Sequence, residues 1–160
     1  MANSYHRLYV HFVWAPKHRD ALITPELKHP LEDYLSGILK NLKGETEEIY
    51  ACPDHLHLLA RLRTTHAVSK VANQLKSNSS KWVRDTYDEG FAWQDGGGYF
   101  SVGWREVGTV GAYIRDQAAH HGLERDRDAV ESMPEEFRRL LDEHGLLDER
   151  ERAYWLQAPM

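Results

Sequence analysis

The sequence predicts an α+β protein with a ferredoxin-like (RRM-like) antiparallel sheet, helices on one face, and an added C-terminal helix that bears a tyrosine. The hydrophobic periodicity switches between 2 and 3.6 residues in the order strand, helix, strand, strand, helix, strand. Proline or glycine stands at most of these switches. A length of 160 residues suits one domain. We expect residues 1–123 to form its main part, with a charged helix and tail at 124–160.

The first two elements are a strand and a helix. Residues 5–14 alternate apolar and polar side chains, as in a half-buried strand, and Pro16 ends the alternation. Thr24 and Pro25 predict a helix start, because threonine caps the first turn and proline is tolerated within it. Leucine then recurs at helical spacing as far as Gly44, which predicts the helix end.

A hairpin and a second helix come next. Residues 45–52 and 55–62 are apolar-rich runs broken by a Pro-Asp pair, which predicts two neighbouring strands joined by a tight turn. Thr64 or Thr65 can cap the following helix. Its predicted apolar stripe consists of Val68, Val71, Ala72, Leu75, Ser79 and Trp82.

The last elements are a short strand and two helices. The glycines at 96–98 predict a loop, and residues 99–102 predict a fourth strand. Thr109 is expected to cap a helix that runs to about His121. Residues 134–144 predict a final, peripheral helix.

The distribution of charge matters more than its total. A net charge of −5 at first argues against a nucleic-acid partner. Residues 124–152, however, carry 11 acidic and 6 basic side chains, so the remainder of the chain is balanced at 14 of each. Residues 55–84 include no acidic side chain and contain Arg61, Arg63, Lys70, Lys76, Lys81 and Arg84. This segment predicts a basic surface on an acidic protein.

Composition also bears on location. No apolar run approaches the roughly 20 residues of a membrane span. Cys52 is the single cysteine, which rules out an intramolecular disulfide. No signal-peptide pattern follows Met1. We therefore expect a cytoplasmic protein without a membrane partner.

Two histidines lie two positions apart in the predicted third strand. Alternate side chains of a strand share a face, so His55 and His57 are placed to hold one metal ion. The chain has ten histidines, and two strand histidines without any function are an equal alternative.

The predicted late helix carries Tyr113 and Gln117 on one face, because residues four apart are neighbours on a helix. His120 and His121 follow one turn later. Taken alone, a helix tyrosine more often buries its ring, and a helix glutamine is more often solvated.

Together these motifs point to a family. In chain order they are residues 53–57 (Pro-Asp-His-Leu-His), 75–82, 91–94, 100–102, and Tyr113 with Ile114, Gln117, His120 and His121. The set, over residues 5–155, resembles the HUH single-tyrosine transposases, the TnpA-type enzymes of the smallest bacterial insertion sequences. One loop departs from the pattern: the family often has Gly-Tyr-Gly-Ala where this chain has Gly-Gly-Gly-Tyr at 96–99.

The resemblance implies a transposase that cleaves and rejoins single-stranded DNA at insertion-sequence ends through a 5′-phosphotyrosine. It implies that Tyr113 is the nucleophile and that His55, His57 and Gln117 bind a divalent metal, Mg²⁺ or Mn²⁺. Ligand type alone leaves Zn²⁺ open. Neutral ligands would leave the charge of the ion to act on a phosphate.

The resemblance also implies partners: single-stranded DNA with a hairpin, and a homodimer in which the tyrosine helix of one subunit can complete the site of the other. Gly108 and Gly111, just ahead of Tyr113, fit either a hinge or an ordinary loop. Lys70, Lys81 and Arg84 are the expected phosphate contacts, and a solvated face is the alternative.

Other functions remain open. A four-stranded sheet can bind single strands on aromatic side chains without chemistry, although paired strand aromatics are not evident. A domesticated transposase would bind hairpins and not cut, although all four catalytic positions are present. Relaxase-type nickases place the tyrosine before the histidine pair, and replication initiators tend to carry a lysine where this helix has Arg115 and Gln117.

Overall fold

The computed structural model describes residues 4–116 of the chain. After β1 (Leu8–Trp14) comes one turn of 3-10 helix at Lys17–Arg19. The other elements are α1 (Pro25–Asn41), β2 (Glu45–Cys52), β3 (His55–Leu62), α2 (Val68–Thr86), β4 (Gly98–Val102) and α3 (Val107–Arg115). The predicted element order is confirmed. The expected helix at 134–144 and the tail at 124–160 lie outside the described residues.

The strands of residues 4–116 form one antiparallel sheet in the order β2-β3-β1-β4. β1 is central: Phe12 is opposite Leu58 of β3 on one side and Tyr99 of β4 on the other. The predicted β2–β3 hairpin is present, and Cys52 pairs with His55 beside its two-residue turn. This topology confirms the ferredoxin-like α+β fold.

Strand alternation divides the side chains between two faces of the sheet. Phe12, Trp14, Leu56 and Leu58 face α1 and α2, with which they form the main core. On the opposite face, α3 covers a smaller cluster of Leu59, Val102 and Ile114. Within residues 4–116, no helix is both long and apolar enough to cross a bilayer.

The start of α2 differs from the prediction. Its N-cap residue is Ala67, so neither Thr64 nor Thr65 caps it. His66 accounts for the difference, because its Nδ1 accepts the backbone N–H of Arg63 at 2.8 Å and its Nε2–H donates to the carbonyl of Leu42 at 2.7 Å. The threonines therefore lie in a turn that is fixed against the end of α1.

The apolar stripe of α2 is also shifted at its end. Val83 is fully buried, whereas Trp82, which was expected in the stripe, is partly exposed and stacks on Tyr34 of α1 at 4.3 Å between ring centroids. The aromatic pair joins the two helices at the edge of the core.

α3 begins earlier than predicted. Glu106 is its N-cap residue, so Thr109 lies inside the helix and does not cap it. Gly108 and Gly111 therefore belong to the first turns of α3, and not to a loop ahead of it. A Cβ atom at Gly108 would meet no heavy atom of the described residues within 4 Å.

Candidate active site

The histidines of β3 lie on the sheet face opposite α1 and α2. His55 and His57 are both buried, and their ring centroids are 5.0 Å apart with the rings nearly perpendicular. The shared face follows from alternation, because the intervening Leu56 points into the main core. The structure therefore brings the two predicted ligands together, while their metal role stays a prediction.

A third histidine, His11 of β1, contacts this pair. Its Nε2 lies 3.0 Å from Nδ1 of His57, and both rings are buried. The strand register explains the contact: Val13 is directly opposite His57, so His11 reaches it diagonally from two positions away. Burial lowers the pKa of His11 to about 3, so the ring is neutral at pH 7.

His55 is held from the hairpin turn. Its Nδ1–H donates to Oδ1 of Asp54 at 2.7 Å, and Oδ2 of Asp54 accepts from Nε of Arg19 at 3.1 Å. Burial acts to lower the pKa of His55, but the interactions with Cys52 and Asp54 outweigh it and raise the pKa to about 9. The hydrogen bond to a carboxylate fixes the ring orientation of His55.

Tyr113 lies in the last turn of α3 and faces the same site. Its ring meets the ring of His57 edge to face, with centroids 5.8 Å apart. The Tyr113 side chain also packs against the cluster of Leu59, Val102 and Ile114. Arg115 secures this end of the helix through an ion pair with Glu48 of β2, at 2.8 Å. The predicted nucleophile and the histidine pair thus meet within one chain.

The donor set can be compared with what a metal ion needs. Within residues 4–116, no group of three or more His, Cys, Asp or Glu side chains is placed to hold an ion. Gln117, the predicted third ligand, and His120 and His121 lie outside the described residues. Metal–nitrogen distances of about 2.1 Å put two imidazole centres on one ion roughly 5 Å apart. The separation of His55 and His57 fits that requirement.

The predicted DNA-contacting residues lie elsewhere. Lys70, Lys81 and Arg84 are on α2, so the sheet separates them from the histidine pair. Lys81 pairs with Asp85 at 2.9 Å, Arg84 donates to the carbonyl of Phe91 at 3.3 Å, and Lys70 is exposed. Of the three, only Arg84 lines an open cleft of about 500 Å³ between α2 and residues 92–99.

The loop that departs from the family pattern has a steric reason for its glycines. Gly96 has a φ of +78°, and a Cβ on Gly97 would lie 2.9 Å from the carbonyl oxygen of Val13. Nζ of Lys76 donates to the carbonyls of Gln94 and Gly96, both at 2.7 Å. Lys76 therefore holds the loop against α2.

The sequence predicts no role for His11 or Arg19, and Asp54 belongs to the Pro-Asp-His-Leu-His motif without a predicted role of its own. Alternation in β1 does put His11 on a defined face, but its contact with His57 depends on a register between strands 46 residues apart. Arg19 has a φ of +55°, a conformation that no local pattern indicates.

Comparisons with known proteins give one matching family and two similar solved structures. The family model described as IS200-like transposase matches residues 4–117, more than two thirds of the chain. A candidate transposase from Deinococcus radiodurans R1 has 22% identity and a TM-score of 0.61, over 73% of this chain and 95% of that one. A REP-associated tyrosine transposase bound to a REP hairpin has 15% identity and a TM-score of 0.58, over 92% of this chain and 87% of that one. No curated protein matches at a significant level. At these identities the two structures share the fold.

Proposed function

This chain belongs to the IS200-like transposase family, and from that membership we propose that it cleaves and rejoins single-stranded DNA at insertion-sequence ends with Tyr113 as nucleophile. The observation that carries the proposal is the contact of the Tyr113 ring with His57, 5.8 Å between centroids, on a face that also holds His55. The nucleophile and two metal ligands of an HUH enzyme need this proximity.

The metal proposal rests on the chemistry of the donors. Nδ1 of His55 is engaged by Asp54 and Nδ1 of His57 by His11, so both imidazoles would ligate through Nε2. Because the pKa of His55 is raised to about 9, ion binding there would release the proton from Nε2 of His55. Gln117, one turn after Tyr113, is the proposed third ligand. A bound Mg²⁺ or Mn²⁺ supplies Lewis-acid polarisation of the scissile phosphate and stabilises the leaving oxygen.

Tyr113 carries out the covalent step. Its phenolic oxygen loses its proton and forms a bond to phosphorus, while the bond from phosphorus to the 3′-oxygen breaks and that oxygen is protonated. The product is a 5′-phosphotyrosine and a free 3′-hydroxyl. In rejoining, a 3′-hydroxyl attacks the same phosphorus and releases Tyr113. One phosphodiester replaces another, so no nucleotide cofactor is required.

The DNA partner is proposed as a hairpin in single-stranded DNA. The solved relative bound to a REP hairpin supports this substrate class. Lys70, Lys81 and Arg84 on α2 are the proposed phosphate contacts, so the duplex stem would lie across the sheet from Tyr113. The single strand would then pass around an edge of the sheet to reach the site.

A homodimer is proposed as the assembly. Among the described elements, β4 is an edge strand of the sheet, next to the α3 segment that carries Tyr113. An edge strand offers backbone donors and acceptors for pairing with a second copy.

The test is formation of a covalent adduct. Wild-type protein and Tyr113→Phe are mixed with Mg²⁺ and hairpin-bearing DNA labelled at its 3′ end, and separated on a denaturing gel. We expect a slow-migrating adduct with wild type and none with Tyr113→Phe, while both bind the hairpin on a native gel. Tyr99→Phe is the matched control and should form the adduct. Hairpin binding without an adduct from wild type would identify a binding protein instead.

A further inference from the structure

We propose that His11 is a positioning residue of the metal site, whose Nε2 accepts the Nδ1–H of His57 and so holds His57 in the tautomer that has its lone pair on Nε2. The inference rests on the proposed function, since His57 is a ligand there.

The geometry requires one of two proton arrangements. The 3.0 Å between Nε2 of His11 and Nδ1 of His57 accommodates a single hydrogen. If His11 donated, His57 would carry its own proton on Nε2, and that nitrogen could not bind a cation. If His57 donates, Nε2 keeps the lone pair that a metal requires. Only the second arrangement is compatible with ligation.

Burial makes His11 suited to accept. The side chain is 2% exposed, and burial disfavours a charged imidazolium, the form that would carry protons on both nitrogens and could not accept. Phe100 of β4 flanks the other side of the ring, with centroids 6.2 Å apart. The neutral ring thus has an orientation set by strand packing before any ion arrives.

The neighbouring ligand has a comparable arrangement. His55 donates its Nδ1–H to Asp54, which Arg19 holds in turn. Each histidine of the pair therefore has an acceptor on Nδ1: a carboxylate for His55 and a neutral imidazole for His57. Such outer partners fix tautomer and orientation, and their loss typically costs about 10–100-fold in metal affinity.

A purely structural role predicts something different. If His11 only filled the space between His57 and Phe100, an apolar ring of similar size would preserve the site. His11→Phe fills that space without an acceptor, whereas His11→Gln keeps an acceptor oxygen at a comparable reach. The two variants separate packing from hydrogen bonding.

The experiment uses the full chain and two readouts that do not depend on cleavage. Proton–nitrogen correlation NMR of the metal-free protein reports the tautomer of His57, and titration with Mn²⁺ followed by electron paramagnetic resonance reports affinity. We expect wild type and His11→Gln to show a proton on Nδ1 of His57 and Mn²⁺ affinities within about threefold of each other. His11→Phe should lose the tautomer preference and bind Mn²⁺ about tenfold or more weakly.

The control is His29→Phe, an exposed histidine on α1 that should leave Mn²⁺ affinity unchanged. A wild-type His57 with its proton on Nε2, or full Mn²⁺ affinity in His11→Phe, would overturn the proposal. If His11→Phe does not fold, the tautomer of His57 in wild type and the Mn²⁺ affinity of His11→Gln still test the proposal. A wild type that shows the expected tautomer and binds Mn²⁺ but forms no DNA adduct would leave this inference standing and remove the proposed function.

Discussion

At the scale of single residues, the burial of His57 changes what a substitution there should do. Because alternation put it on the site face, the sequence suggests that removing it spares the fold. The structure shows a 2% exposed ring bonded to another buried histidine. We expect His57→Ala to abolish Mn²⁺ binding and adduct formation and to cost about 1–3 kcal/mol, since His11 loses its partner. Urea unfolding in EDTA measures that cost, and an unchanged midpoint would contradict it.

The buried histidines also predict how the metal-free protein responds to pH. His11 has a folded pKa near 3 against about 6.5 when unfolded, so the unfolded chain binds more protons between these values and stability falls as pH drops from 6.5. The pKa of His55 is raised to about 9 in the folded protein. Its contribution to stability is therefore complete below about pH 6.5 and is lost as the pH rises to 9. We expect the free energy of unfolding of His11→Gln to fall less than that of wild type as the pH drops below 6.5. An equal fall in both proteins would contradict this.

The sequence predicts which side chains share a face of a strand, but it does not predict contacts that depend on the register between strands. The common face of His55 and His57 follows from the two-residue period of a strand, and the approach of Tyr113 follows from the family resemblance. The His11 contact depends on how β1 slides against β3, which side-chain alternation does not determine.

At the scale of elements, the described residues give no steric reason for glycine at position 108 of α3. An alanine at Gly108 has room, and glycine inside a helix is less stable than alanine by roughly 0.5–1 kcal/mol. We therefore expect Gly108→Ala to raise the melting temperature. If α3 is static, adduct formation should be unchanged; a stabilised protein with slower cleavage would show that the tyrosine helix must bend there. Gly97→Ala is the contrasting variant and should destabilise, because of the close carbonyl of Val13.

The basic residues of α2 differ in their surroundings. Lys70 is exposed and Lys81 already pairs with Asp85, so Lys70→Ala should reduce hairpin affinity more than Lys81→Ala. Loss of one phosphate contact should lower the slope of log affinity against log salt by about 1. Fluorescence anisotropy at several salt concentrations measures both, with the exposed Lys40→Ala on α1 as control. Equal effects of Lys70→Ala and Lys40→Ala would remove α2 from the proposed interface.

The sequence predicts the helices themselves better than it predicts the residues at which they begin. The apolar periodicity located α1, α2 and α3, but two threonine caps were wrong, because a cap depends on where the preceding turn is held. For α2 that turn is fixed by His66 against the end of α1, a contact between segments distant in the sequence.

At the scale of the whole molecule, the cis or trans arrangement of the site can be measured. We expect a dimer by light scattering at micromolar concentration. In the structure Tyr113 lies against His57 of its own chain, so mixing Tyr113→Phe with His57→Ala should give no adduct. Recovery of activity in the mixture would mean that one subunit supplies the tyrosine and the other the histidines. An active monomer would exclude the dimer altogether.

The strand order β2-β3-β1-β4 also governs when the site can form during synthesis. The β2–β3 hairpin is local and can fold once residue 62 has left the ribosome, and β1 is already available to pair with it. β4 joins β1 across some 90 residues of chain, and α3 docks only after that. His55 and His57 therefore come together well before Tyr113 is synthesised, so a nascent chain gains two of the three proposed ligands first and the ability to cut DNA last.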